Sequence, residues 1–524
     1  MGQEALLCHS GRARRAGPRG MLPSRLAAFR DDPMASSESA GSTPKEVVLS
    51  LISHTNVGKT ALARTLLRRD VGEVADSAHV TVVPEAYPLI SAGDRSAMLW
   101  DTPGFGANLA KLVARLRSSE NPVGWILREV WDRHRDKSLW CSQQAIRNVQ
   151  RDADVVLYLV DASRTPGETG YIDLEVEVLS WIGKPVLVFL NQTGEPDPER
   201  DRRAEEEWRA HLSRYEVVRE VATLDAFTRC WTSEHRLLER AAAVLEGDRA
   251  ETAAELSKAW AERNRLVFEE AVHVLAGWAL VALTDTEALR IEGLAEKLRF
   301  FLRTSSRSAE LDRAQRRMYQ TLAEETAKAV NRLIALYGLE GETASRLEEA
   351  GGKAFEVKRG VEESVAAAVG GAFSGLAGGL TADLLAGGMT FGGGAVVGML
   401  LGGGMTFAVA KGYNFALVGT DSVRWGKSHF RAQAKFLMML YLAVSHYGRG
   451  RGSWRDPVHN PARWEERLDR RMEEDMDRWE ALWKLGGAKA DRPKLEKRLR
   501  ERFRETLAGV FVELYPESAP PFRR

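Results

Sequence analysis

The residues best placed to do chemistry run from Ser53 to Thr60: Ser-His-Thr-Asn-Val-Gly-Lys-Thr. They fit G-x-x-x-x-G-K-[ST] at every fixed position but the first, where serine stands for glycine. Gly58 is the glycine the pattern most needs, because it lets backbone N–H groups close around phosphate oxygens. Lys59 can reach the outer phosphates, and Thr60 offers a hydroxyl to Mg²⁺. Gly-Lys-Thr alone is a weak signal, so partners must be found downstream. Asp101-Thr102-Pro103-Gly104 supplies them. An aspartate at a strand's end can hold Mg²⁺ through water, and a glycine three residues on can offer its N–H to a terminal phosphate.

The elements that must position these residues are legible in the hydrophobic pattern. Glu46 to Ile52 is a short Val/Leu/Ile run that reads as a buried strand. The loop follows, then a helical spacing with Leu62, Leu66 and Leu67 on one face. Ser96–Asp101, Asp154–Ser163 and Lys184–Asn191 read as further buried strands, with a last one near Val221. Helical patterns lie between them at Leu174–Ile182 and Ala204–Tyr215. This alternation predicts an α/β fold: a doubly wound, mostly parallel sheet with its site at the strands' carboxyl ends.

The motifs in this order resemble the translation-factor-like GTPases, most closely the Era/TrmE-like branch, over roughly Glu46 to Glu246. That branch reads G-x-P-N-V-G-K-S where this chain keeps Asn56-Val57-Gly58-Lys59, and its D-T-P-G stands intact. The resemblance implies GTP and GDP as ligands. Asn56, Val57, Gly58, Lys59, Thr60, Ala61, Gly104, Asn191 and Gln192 would bind the nucleotide, with Lys59 and Thr81 catalytic. Thr60, Thr81 and Asp101 would serve Mg²⁺, and Asn56 is a candidate K⁺ ligand, its alternative role being to brace the loop. Phe105 stands where Ras-like proteins carry a catalytic glutamine, as an apolar residue does elsewhere in the branch. A homodimer through the G domain is a further candidate partner.

The main departure is Asn191-Gln192-Thr193-Gly194 in place of N-K-x-D. The family's aspartate accepts two hydrogen bonds from guanine, and Gly194 has no side chain to do so. Losing a charge-assisted pair costs about 1.5–3 kcal/mol, roughly ten- to a hundredfold in guanine preference. The family's final S-A motif corresponds to Leu224-Asp225-Ala226.

Length and composition set the frame. A chain of 524 residues is expected to hold more than one domain. With 74 Lys+Arg against 73 Asp+Glu, the total charge asks for no nucleic acid, and DNA is not an expected partner. Cys8, Cys141 and Cys230 have no paired spacing, which points to a reducing compartment. Residues 1–45 read as a disordered tail, or as an upstream extension with Met34 the first residue of the protein. The G domain is expected over 46–248, with an enlarged switch II region at 107–151 containing Trp125, Trp131 and Trp140.

From 249 to 524 the strand signals stop, and an all-α domain is predicted. Leu311, Met318, Leu322, Val330 and Leu333 mark one helix face, with Ser308 as N-cap and Gly338 as stop. Ala434–Gly448 reads as a short apolar core helix, and Leu495, Leu499, Phe503 and Leu507 mark another face. Between these lies a glycine-rich apolar run, 364–410, whose one charge is Asp383. Gly371, Gly375 and Gly379 are spaced by four, as are Gly394, Gly398 and Gly402, the spacing that lets membrane helices approach closely. Two spans of about 20 residues fit the run, with a turn in 383–394. Lys353, Lys358 and Arg359 precede it and Lys411, Arg424 and Lys427 follow, so a two-pass hairpin would leave both ends in the cytoplasm. A buried glycine-rich hairpin in a soluble domain is the alternative. The run and the downstream text "HYGRGRGSW" also resemble a bacterial subfamily in which this G domain precedes a domain of unknown function.

Three functions follow as expectations. The first is a Mg²⁺-dependent GTP-hydrolysing switch at the cytoplasmic face of the inner membrane, with the soluble cytoplasm as the alternative location. The second is a nucleotide-responsive scaffold that barely turns over. The third, by analogy to Era, is an RNA- or ribosome-associated factor, although no convincing G-x-x-G loop of a KH domain is present.

Overall fold

The computed structural model describes residues 45–68, 71, 83–106, 109–117, 119–128, 137–193, 198–224, 231–288, parts of 314–337, 415–418, 422–446 and 461–515. The expected N-terminal tail, Thr81, Trp131, Gly194, Asp225, Ala226, Ser308, Leu311, Gly338 and the run 364–410 lie outside these residues.

A six-stranded sheet has the order β2-β3-β1-β4-β5-β6. Its strands are β1 (Lys45–Ser53), β2 (Glu85–Ala92), β3 (Arg95–Asp101), β4 (Val155–Asp161), β5 (Val186–Asn191) and β6 (Val218–Thr223). All neighbours run parallel except β2 and β3. The central strands are continuous apolar runs because both faces of the sheet are covered. In β4, Val155, Leu157 and Leu159 join one core, while Val156, Tyr158 and Val160 join the opposite one. Each such side chain, fully buried, contributes about 1.5–3 kcal/mol. The edge strand β2 escaped the pattern reading. Its register shifts between Pro88 and Ile90, an irregularity that an edge tolerates and a central strand does not.

Helix α1 (Lys59–Leu67) covers one face of the sheet through Leu62 and Leu66. Among the described residues between β3 and β4 lie α2 (Leu109–Leu116), α3 (Pro122–Arg128) and α4 (Lys137–Arg151). They pack on the other face through Leu109, Val113, Ile126, Ile146 and Val149, with Trp125 only partly buried. The contact is thus made mainly by aliphatic side chains. Helices α5 (Gly170–Ile182) and α6 (Pro198–Leu212) complete this layer.

After α7 (Arg236–Val244), one helix dominates: α8, Gly247–Thr284, with 38 residues. At 1.5 Å per residue it is about 57 Å long. Its first turns put Ala253, Leu256 and Trp260 into the core beneath the sheet. Its later turns put Phe268, Val272, Leu275 and Leu283 into the core of the C-terminal half. A single helix therefore belongs to both cores, and residue 248 lies at its beginning. Among the described residues it is long and apolar enough to cross a membrane, yet 61% of its apolar window is buried in protein.

The C-terminal half is helical. Met318, Leu322, Val330 and Leu333 lie buried on the predicted face, as do Leu495, Leu499, Phe503 and Leu507 on α12 (Arg492–Leu514). The apolar core helix is α9 (Lys427–Ser445), beginning earlier than its apolar text. Two further helices, α10 (Pro461–Glu474) and α11 (Met476–Leu485), pack around it. The all-α expectation left out a small antiparallel sheet of β7 (Thr286–Ala288), β9 (Ser422–Trp425) and β8 (Phe415–Val418). Strands of three and four residues are too short to show a period of two.

Candidate functional site

The loop between β1 and α1 lies at the carboxyl end of β1, beside the point where the strand order reverses. Gly58 caps α1 with φ 100° and ψ 25°. A side chain is strained in that conformation, and a Cβ there would meet Asn191 Nδ2 at 2.8 Å. Asn56, exposed at the loop's tip, has φ 65°, a left-handed conformation that asparagine accepts more readily than most residues. Val57 and Ala61 turn their side chains into the core beneath the sheet, so only their backbone is left to face a ligand.

Lys59 is 7% exposed. Its ammonium donates to Ser53 Oγ at 3.1 Å and to the His54 carbonyl at 3.4 Å. Burial lowers its pKa, opposed by the nearby charges of Asp101 and Glu175. The Thr60 hydroxyl donates to Asp101 Oδ2 at 2.7 Å, and Asp101 is buried at the end of β3. A hydroxyl and a carboxylate converging at a helix N-terminus form the hard oxygen donor set that Mg²⁺ prefers, so these residues fit that ion. Among the described residues no group of three or more His, Cys, Asp or Glu side chains gathers to hold a metal by itself.

The segment after Asp101 lies directly on the loop. Phe105 N donates to the Ser53 carbonyl at 2.9 Å, and Thr55 N donates to the Phe105 carbonyl at 3.2 Å. At Gly104 a Cβ would come within 2.9 Å of the Thr55 backbone and 3.0 Å of Lys59 Nζ. That approach explains the glycine without any appeal to a ligand. Phe105 is fully buried in the core with Ile52 and Val113, so its side chain points away from the loop's mouth.

Asn191 ends β5, and its Nδ2 donates to the Val57 carbonyl at 2.7 Å. It braces the loop from the far side and is 0% exposed. Gln192, with φ 61°, brings its Nε2 to 3.5 Å from the same carbonyl. The fold thus gathers Asn56, Val57, Gly58, Lys59, Thr60, Ala61, Asp101, Gly104, Asn191 and Gln192 around one loop, with Thr81 outside the described residues.

One group at the site was missed in the sequence. His54 Nδ1 lies 2.7 Å from Glu175 Oε1, and Tyr158 OH donates to Glu175 Oε2 at 2.6 Å. The His54 ring packs on Tyr171 with centroids 4.3 Å apart. Glu175 is 1% exposed although α5 is otherwise an ordinary amphipathic stretch. Its one available signal was a carboxylate on the apolar side of the pattern Ile172, Glu175, Val176, Leu179.

Comparison with known proteins agrees with this geometry. Residues 48–192 match the family described as 50S ribosome-binding GTPase, and residues 209–509 match the family described as a domain of unknown function, DUF3482. No curated protein matches the chain. Among solved structures, an Era variant of Aquifex aeolicus bound to GDP·AlF4⁻ is 14% identical, covering 54% of this chain and 90% of that one, with a TM-score of 0.28. An NFeoB variant of S. thermophilus bound to GMPPNP is 19% identical, covering 38% of this chain and 62% of that one, with a TM-score of 0.26. The second family match spans more than half of the chain and begins within α6, before the last strand of the sheet. The chain belongs to the DUF3482 family, and that match follows the stretch that matches a GTP-binding P-loop GTPase domain.

Proposed function

We propose that the protein is a slow Mg²⁺-dependent GTPase that works as a molecular switch at the cytoplasmic face of a membrane. The observation that carries the hydrolytic reading is the meeting of Thr60 and Asp101 at 2.7 Å, with Lys59 and Gly104 beside them. Thr60 and Asp101 would hold Mg²⁺, which supplies charge neutralisation at the phosphates when bound. Lys59 binds the outer phosphates, the Gly104 N–H serves the terminal one, and Asn191 keeps the loop in shape. Asn56 is the residue offered to K⁺. Guanine preference is weaker than in relatives with N-K-x-D, because Gly194 offers no carboxylate.

The membrane reading rests on the run 364–410. The chain before it and the chain after it join the same helical core, as the bond between Tyr337 and Tyr441 at 3.0 Å illustrates. An even number of crossings would return the chain to that core. Of the basic flanks, Arg424 packs over the Trp483 ring at 3.6 Å and Lys427 pairs with Glu480 at 2.7 Å, so these two serve the protein body.

A second reading, a nucleotide-responsive scaffold that does not turn over, is favoured by Phe105. With that side chain in the core, the position that orients water in Ras-like proteins has nothing to offer. Phosphate release by the full chain, measured with GTP, Mg²⁺ and either K⁺ or Na⁺, separates the two. Turnover that disappears in Lys59→Ala supports the enzyme. Nucleotide binding without turnover in either salt leaves the scaffold. Flotation of the full chain with lipid vesicles, compared with a chain lacking 364–410, tests the membrane reading.

A further inference from the structure

We propose that Ser53, standing where the loop pattern has glycine, is a positioning residue whose hydroxyl orients the Lys59 ammonium toward the nucleotide's phosphates. The inference rests on the nucleotide-binding reading above and adds a residue to it that the loop pattern does not contain.

The hydrogen bonds fix the polarity of the arrangement. Ser53 Oγ lies 2.6 Å from the His54 carbonyl, which can only accept, so the hydroxyl proton points there. The oxygen's lone pairs are then left for Lys59 Nζ at 3.1 Å, and the ammonium can only donate. The result is a one-way relay from ammonium to hydroxyl to carbonyl. The direct bond from Lys59 to that carbonyl is longer, at 3.4 Å. Ser53 is 0% exposed, so no bulk water competes for either bond. These two acceptors use two of the three ammonium N–H groups and leave one to donate to a phosphate oxygen.

The relay has a fixed foundation. The residue that carries the accepting carbonyl, His54, is held on its ring side by Glu175 at 2.7 Å and by Tyr171 at 4.3 Å between centroids. Glu175 is itself held by Tyr158 at 2.6 Å. Helix α5 and strand β4 therefore set where the His54 backbone lies, and the Ser53 hydroxyl passes that position on to Lys59. A glycine at position 53 would leave the ammonium with the longer bond alone.

The test uses the full chain with Ser53→Ala and Ser53→Gly, and titrates GDP in Mg²⁺ by displacement of a fluorescent GDP analogue. A hydrogen bond to a charged group supports an expected loss of about tenfold in GDP affinity for both variants. Ser53→Gly introduces only the residue usual in the pattern, so it guards against a folding defect in Ser53→Ala. Urea unfolding of Ser53→Ala, Lys59→Met and the double variant supplies a readout that simple packing would not give. The Ser53→Ala loss should largely vanish in the Lys59→Met background, because the ammonium that needed the hydroxyl is gone. GDP affinity within twofold of the unaltered protein in both Ser53 variants, or additive losses on unfolding, overturns the inference alone. Failure of the unaltered protein to bind GDP overturns the nucleotide reading and this inference with it.

Discussion

Arg68 ends α1, the helix that begins with Lys59, and its φ is 55°. Its guanidinium donates to Glu234 Oε2 at 2.9 Å and to Asn264 Oδ1 at 2.6 Å. Asn264, on α8, donates in turn to Glu234 at 2.9 Å and to the Trp231 carbonyl at 2.9 Å. The side chains of Arg68 and Glu234 are 13% and 4% exposed, so this ion pair is largely out of water. At a charge separation of about 4 Å and an effective dielectric of about 20, the attraction is about 4 kcal/mol. Arg68→Ala removes it and leaves a buried carboxylate, a change that typically costs about 3–5 kcal/mol. We expect Arg68→Ala to lower the urea unfolding free energy by about 3 kcal/mol, read by tryptophan fluorescence and by circular dichroism. Arg68→Gly should lose about 1 kcal/mol less, since the left-handed conformation suits glycine. Arg68→Ala combined with Glu234→Gln should recover about 1–3 kcal/mol relative to the sum of the single changes. A loss below about 1 kcal/mol in Arg68→Ala, set against the range for a broken buried pair, would refute the reasoning. Strict additivity in the double variant would also do so. Through Asn264, the same cluster ties the phosphate-loop helix to α8.

Two other outcomes follow from single positions. Gly58→Ala combines a φ of 100° with a Cβ 2.8 Å from Asn191 Nδ2, and should cost about 2–3 kcal/mol of stability from backbone strain and a displaced hydrogen bond; unchanged thermal unfolding would show that the loop relaxes freely. His429 is 5% exposed and stacks on Trp425 with centroids 4.5 Å apart, and burial depresses its pKa from 6.5 to about 4. The unfolded chain then takes up a proton at this histidine between pH 6.5 and 4 that the folded chain refuses, so stability from this site is present above pH 6.5 and is lost as pH falls toward 4. The loss amounts to about 3 kcal/mol, and His429→Phe should flatten this part of the urea stability profile; equal slopes in both proteins would contradict it.

The phosphate loop, its lysine and the D-T-P-G turn could be read directly because their chemistry demands fixed residue types at fixed spacing. The central strands could be read because strands buried on both faces are apolar throughout. The edge strand β2 and the short β7, β8 and β9 could not, since neither an irregular edge nor a run of three or four residues carries a period. Helix α8 escaped for a different reason. Its apolar face turns toward one core early and toward another later, so no single stripe runs along its length.

The amino-acid sequence by itself determined that a phosphate-binding α/β domain precedes a helical half. It did so because loop chemistry and burial are written in local residue types. Only the tertiary structure decided how the loop is held. In the sequence Ser53 is only a departure from the loop pattern, whereas in the fold its hydroxyl accepts a hydrogen bond from the Lys59 ammonium. Asn191 sits 134 positions after Val57 and braces its carbonyl, while Glu175 sits 121 positions after His54 and holds its ring. Arg68 reaches 196 positions along the chain to Asn264. Hydrogen bonds and ion pairs depend on distance in space, and local sequence pattern carries no information about partners so far apart along the chain.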